Sequence, residues 1–443
     1  MKPHLPHHPA PPASCTRWKA PRGQCVAGAL LAFALAGAEP LPSLGSTTEA
    51  VRQSPVVARS SPSPADAAHA AAILRIVRQQ MASEHLRAVI VRVTIDGREI
   101  VTAGMGEPIT GMPATTDMHF RNGAVAISYM ATLLQQLVDE KKVTLDDKLS
   151  TWLPSIPNAS RVTLGQLARM TSGYHDYVIG NTAFIQQQLS DPFRQITTQE
   201  QLSYANLDSL WYEPGTNWNY AHTNYVLLGL ALEKITGQSI PALMQERIFG
   251  PLQMRNTRDP GGTPEIAQPV LHSFTSERRV TLGIAPSTRF YEESTYWNPS
   301  WTLAQGAIQY TNIHDMATSA EAIGSGRLLS PESHQLQIAP TLRGFGALLE
   351  GCATCGTLTD FYTYGIGIVI SGSWLLQNPL FSGQAGVMAY LPSKKIAIAV
   401  AVTFDEEAFD HTGYYSNGAD TIFRAIGAYL APDDPPPVKR QPL

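Results

Sequence analysis

The chain predicts an α/β fold in which one antiparallel sheet is assembled from both ends of the sequence, with a mainly helical half inserted between its strands. Strand signals occupy about 88–103 and return over about 364–404. The stretch between about 105 and 360 reads instead as helices and long loops. A helical pattern, Ala419 to Leu430, closes the series. Strands at both ends with helices between them pair most simply in one sheet with helices against it.

The elements justify themselves in order. Lys2, Arg17, Lys19 and Arg22 make a positive leader before an apolar run from Val26 to Ala38, and Ala36-Gly37-Ala38 offers small residues for cleavage. This predicts a signal peptide over 1–38. The run is shorter than the ~20 residues a spanning helix needs, so no stable membrane span is expected after cleavage; an uncleaved anchor is the alternative. Residues 39–65 are rich in Pro, Ser, Ala and Thr and read as a flexible linker. Helical spacing begins near Ala67 and runs through Val77. Ala88 to Ile95 reads as a buried strand, Asp96-Gly97 as a hairpin turn, and Ile100-Val101 as the start of the returning strand. Ser128 to Val138 reads as one long helix, Asn224 to Glu233 as a buried helix, and about 313–323 as another. Strands are expected at Tyr364 to Ile370, Gly386 to Tyr390 and Ile396 to Phe404. The domain is thus placed at 66–430, with the sheet half at about 66–119 and 362–430 and the helical half at about 120–361. Residues 431–443, rich in Pro, are expected to be a disordered tail.

Composition narrows the function. A hydrophobic content of 44% in 443 residues is enough for a large core, and a net charge of -4 gives no reason to expect nucleic acid as a partner. Cys15 and Cys25 lie in the leader; Cys352 and Cys355 form Cys-Ala-Thr-Cys in a Gly-flanked loop. In an exported chain that pair reads as a loop disulfide. A redox-active pair lacks its βαβ context, and a zinc site needs more ligands than two. His119, His175, Asp176 and His222 are scattered and make a weak metal signal, so neither metal nor cofactor is expected. No Gly-x-Ser-x-Gly elbow occurs.

Three stretches carry the chemistry. The first is Phe120-Arg121-Asn122-Gly123-Ala124-Val125-Ala126-Ile127, leading into the long helix. The second is Trp218-Asn219-Tyr220-Ala221-His222-Thr223-Asn224-Tyr225, after Glu213-Pro214-Gly215. The third runs from Trp374 through Gln377-Asn378-Pro379-Leu380 to Gln384, with Tyr390-Leu391-Pro392 beyond it. Together with Thr163 to Gly173 and Asn298 to Ile308, these stretches resemble the serine β-lactamase and penicillin-binding-protein superfamily, most closely its class C, esterase and D-aminopeptidase branch. The resemblance covers roughly 66–430. It implies the β-lactamase/DD-peptidase-like fold, with the site in the cleft between its halves.

The resemblance also shows what has changed. A family member acylates a Ser in Ser-x-x-Lys, whose spacing stacks both side chains on one helix face. Here the Ser position is Ala124 and the Lys position Ile127, and no Lys in the chain follows a Ser by three residues. Tyr220 keeps the place of the family's Tyr base, but the Lys that would lower its pKa is missing. His222 stands where an Asn holds the substrate amide; it can donate a hydrogen bond or be a cleft His without chemistry. On the third motif His becomes Gln377 and Gly becomes Pro379, while Asn378 is kept. The backbone N–H groups of Ala124 and Leu380 are expected to survive as an oxyanion hole, because backbone donors outlast side-chain substitution. Such a hole binds a carbonyl or carboxylate but does not acylate. Met170 replaces a family His, and Ser128 and Ser172 read as structural rather than as substitute nucleophiles.

Two function classes follow. One is an exported, catalytically inactive relative that binds a small-molecule, peptide or cell-wall-derived ligand in the cleft, or acts as a scaffold. The other is a weak hydrolase, an esterase, D-amino peptidase or β-lactamase-like enzyme, working through a non-standard site.

Overall fold

The computed structural model describes residues 63–439; the expected signal peptide and nearly all of the expected linker lie outside them. The first helix, α1, spans Pro64–Ser83 and so starts inside the expected linker. Ser63 caps it by accepting from the Asp66 N–H, and proline occupies the first turn, where no N–H is needed. Strands β1 (Leu86–Ile95) and β2 (Arg98–Gly106) form the expected hairpin. Asp96 and Gly97 turn it with φ of 51° and 72°, the double left-handed geometry that suits this dipeptide.

Helix α2 (Val125–Asp139) has twelve of its fifteen residues buried, so it is a core element rather than a surface one. Helix α3 (His222–Thr236) crosses it and ends at Gly237, whose φ of 71° gives the left-handed cap. Helix α4 (Ile313–Gly324) is capped by Asn312. The chain then re-enters the sheet through β3 (Thr363–Tyr364), β4 (Val369–Ser371), β5 (Trp374–Gln377), β6 (Leu380–Phe381), β7 (Gln384–Leu391) and β8 (Ile396–Phe404). Helix α5 (Gly418–Leu430) closes the series. The single strand expected over Tyr364–Ile370 is two, because Gly365–Ile368 folds back with Gly367 at φ 63°.

The eight-stranded sheet runs β2-β1-β8-β7-β5-β4-β3, with β6 paired to β7, all antiparallel. Strand β8 sits centrally beside β1, and the two pair from Ile95 opposite Ile396 to Ala88 opposite Thr403, then, past a register shift, at Leu86 opposite Phe404. Every residue of β7 and β8 is buried, the mark of strands covered on both faces. Helices α1 and α5 cover one face and α4 the other. The β-lactamase/DD-peptidase-like arrangement expected from the sequence is therefore the observed one.

The expected disordered tail is corrected over 431–439. Trp374 Nε1 donates to Asp434 O at 3.0 Å, Arg424 donates to Pro437 O, and Pro436 packs against Gly427. These contacts shield the indole of Trp374, which is fully buried.

Candidate functional site

Ala124 is the N-cap of α2, set there by Gly123 in the left-handed region at φ 52°. The N–H groups of Val125, Ala126 and Ile127 donate to Asn122, Gly123 and Ala124 carbonyls at 3.2, 3.0 and 3.0 Å. That leaves the Ala124 N–H as the first-turn donor outside the ladder. Ile127, one turn on, is fully buried beneath the cleft. Strand β6 lies directly over this turn: a Cβ added to Gly123 would stand 2.5 Å from Pro379 Cβ and 2.6 Å from Phe381 Cε1. Pro379 thus fills the space where a glycine would let a ligand approach the strand. Gly386 N–H donates to Pro379 O at 3.0 Å, and Leu380 sits opposite Ala385. This register makes Leu380 a non-hydrogen-bonded position, its N–H directed away from β7.

The structure brings Ala124, Ile127, Tyr220, His222, Gln377, Asn378 and Leu380 to one cavity of about 360 Å³. Two of them are less free than expected. Gln377 donates Nε2 to Gly367 O at 2.9 Å and is buried. Asn378, expected to bind ligand, lines the cavity; its amide donates to Asp420 Oδ1 at 3.3 Å, and its backbone carbonyl accepts from Asn417, the cap of α5, at 3.0 Å. Sequence reasoning gave no site role to Val178, Ile179, Trp301, Leu303, Ile308 and Tyr362, which also line the cavity. These are apolar or aromatic residues on loops, and no periodicity marks them.

Tyr220 lies on the extended segment before α3. That segment is anchored through Asn219 N–H on Met170 O at 3.2 Å and Ala221 N–H on Met170 Sδ at 3.5 Å. Burial pushes the Tyr220 phenol well above its ordinary value, with Tyr362 and Asp176 adding to the shift. This is opposite to what a base needs. No Lys or Arg is among the cavity-lining residues.

His222 carries the principal polar geometry of the cleft. Its Nδ1 lies 3.1 Å from both Asp176 carboxylate oxygens, and its backbone N–H donates to Oδ1 at 3.0 Å. Asp176 also accepts the N–H groups of Val178 at 3.2 Å and Ile179 at 3.0 Å. The carboxylate therefore caps α3 at its positive end, where Ala221 has no capping side chain. In the tautomer whose Nδ1–H donates to Asp176, Nε2 is the acceptor edge of the ring. The Asp176 partnership was visible in the sequence only as one of several scattered residues. His175 instead stacks on Trp211 with centroids 4.1 Å apart, and His119 rests against Tyr310. Among the described residues no group of three or more His, Cys, Asp or Glu side chains is placed to hold a metal ion.

The two serines nearest to chemistry are held elsewhere. Ser128 Oγ donates to Gly367 O at 2.8 Å, and Ser172 Oγ bonds Asn224 while accepting Tyr174 N–H; both are fully buried. Thr302 on the cavity wall donates to Pro299 O at 2.7 Å. Cys352 and Cys355 are bonded as a disulfide. Its loop packs against residues next to the cleft lining: Cys355 forms a bridge with Asn219, the neighbour of Tyr220, and Ala353 lies against Gly180, the neighbour of Ile179.

A sheet flanked by helices, with a cleft at the N-terminus of a buried helix, is the β-lactamase/penicillin-binding-protein-like arrangement. The match to the Beta-lactamase family model over residues 73–422 makes the chain a member of that family. It is 26% identical to esterase EstB of Burkholderia gladioli over 368 residues, 72% of this chain and 93% of that one. It is 25% identical to AmpH of Escherichia coli (strain K12), a D-alanyl-D-alanine-carboxypeptidase/endopeptidase, over 53% of this chain and 67% of that one. It spans only 64% of PbpX of Bacillus subtilis (strain 168), at 25% identity, and 45% of penicillin-binding protein 4 of Amycolatopsis lactamdurans, at 30%. In fold it is similar to D-amino acid amidase from Ochrobactrum anthropi SV3 (TM-score 0.68, 20% identity, 83% of this chain and 99% of that one). It is also similar to a D-stereospecific amidohydrolase from Streptomyces sp. (TM-score 0.63, 21% identity, 76% and 96%).

Proposed function

We propose that this member of the family is catalytically silent and serves as an exported binding protein whose cleft holds a small-molecule, peptide or cell-wall-derived ligand. One observation carries the reading: the nucleophile and Lys positions, Ala124 and Ile127, still line the cleft but bear neither hydroxyl nor charge. The raised Tyr220 phenol and the tethered Ser128 and Ser172 support it. The test is labelling of the purified protein with a fluorescent penicillin and a fluorophosphonate, read by intact mass. No adduct is expected; an adduct on any residue overturns the reading.

A weak hydrolase has one observation in its favour, the Asp176–His222 pair, a base that would act on water without an acyl-enzyme. Ester turnover lost in His222→Phe would establish it. Export rests on the leader and the Cys352–Cys355 pair. Intact mass of secreted protein should give a chain beginning near Glu39 with one disulfide; retention of the apolar run or two free thiols would contradict the corresponding half.

A further inference from the structure

We infer that the cleft takes an uncharged, largely apolar molecule that donates a hydrogen bond to His222 Nε2, and that it rejects carboxylates. This deepens the reading of the cleft as a ligand site and rests on it. No Lys, Arg, Asp or Glu lines the cavity. Its lining is largely apolar and aromatic, including Ile127, Trp301, Leu303, Ile308, Tyr362 and Phe381. A carboxylate entering here sheds its water without meeting a cation, which costs several kcal/mol. The Asp176 carboxylate behind His222 adds like-charge repulsion. Burial raises the phenols of Tyr220 and Tyr362 alike, so the same surroundings already favour neutral groups. Of the polar groups on the lining, which include the Tyr220 and Tyr362 hydroxyls, Gln377 and Asn378, two sets fix the preference: the Nε2 edge of His222 as acceptor, and the N–H groups of Ala124 and Leu380 as donors to a carbonyl. An amide attached to an aromatic body satisfies both.

The experiment uses three matched probes, 2-naphthylacetamide, methyl 2-naphthylacetate and 2-naphthylacetate, titrated calorimetrically into the full chain at neutral pH. The amide should bind about tenfold or more tighter than the carboxylate, with the ester, which lacks a donor, in between. His222→Phe should erase the amide-over-ester difference. Leu380→Lys, at a rim position 37% exposed and safe for folding, should raise carboxylate affinity, by about tenfold. The inference is overturned by equal or tighter carboxylate binding, by no amide binding up to about 1 mM, or by an unchanged amide-to-ester ratio in His222→Phe. It is also overturned if Leu380→Lys leaves carboxylate affinity unchanged; that variant decides alone where His222→Phe does not fold. A covalent adduct in the labelling experiment would refute catalytic silence and leave this ligand preference standing.

Discussion

Restoring the missing hydroxyl is the sharpest perturbation of this site. Ala124→Ser should fold, because Ala124 is only partly buried and caps α2 without any side-chain bond to lose; its stability should stay within ~0.5 kcal/mol of the parent. The new hydroxyl then needs a base. A phenol with an unshifted pKa near 10 is ionised to about 0.3% at pH 7.5, and burial holds Tyr220 below even that fraction. Ile127 offers nothing. A positioned base contributes ~10²–10⁴ in rate, so Ala124→Ser alone should show no acyl-enzyme by mass after hours with penicillin. Adding Ile127→Lys supplies an amine but buries it at a fully enclosed position beside Gly367, whose carbonyl already accepts from Ser128 and Gln377. The lost apolar burial and the uncompensated charge should together cost ~3–5 kcal/mol, measured by denaturant titration, unless the Lys stays neutral. Gln377→His and Pro379→Gly are needed as well, to reopen the strand side over Gly123. The reasoning is refuted if Ala124→Ser alone acylates. Loss of that acylation in Ala124→Ser/His222→Phe would then name His222, oriented by Asp176, as the base.

Three further outcomes are expected. Glu277 is pushed up to about 7 from 4.5 by burial. Its protonated form is the one the fold prefers, so stability should fall as pH rises from 4.5 through 7, by at most about 3 kcal/mol; Glu277→Gln should flatten that stretch of a Tm-versus-pH curve. Gly123→Ala forces a Cβ into Pro379 and Phe381 at a left-handed φ; urea unfolding should show a loss of ~2–4 kcal/mol, and an unchanged midpoint would mean that β6 gives way freely. Ending the chain after Ala431 removes the acceptor of Trp374 Nε1 and one acceptor of Arg424, which keeps Asp420 and Ser371; thermal unfolding should report a loss of ~2–4 kcal/mol, whereas a parental Tm would show that the 432–439 segment adds nothing.

Much of the fold was readable because its signals are local. The Asp96-Gly97 hairpin, the apolar runs of β1 and β8, and the helical spacing of α2 each need only neighbouring residues to be recognised. The loss of the nucleophile was equally plain, since Ala124 has no hydroxyl and Ile127 no charge in any conformation. What the cleft retains was decided by tertiary structure. Asp176 and His222, 46 positions apart, meet only because the fold sets the Asp176 carboxylate against the N-terminus of α3, whose His222 N–H needs an acceptor. Asn378 gains its Asp420 partner only because α5 packs beside it. The Pro-rich end looked disordered by composition, yet Trp374 and Arg424 give its carbonyls donors. In each case a polar group has several partners allowed by its own chemistry, and only the packing of distant segments determines which one lies within hydrogen-bond reach.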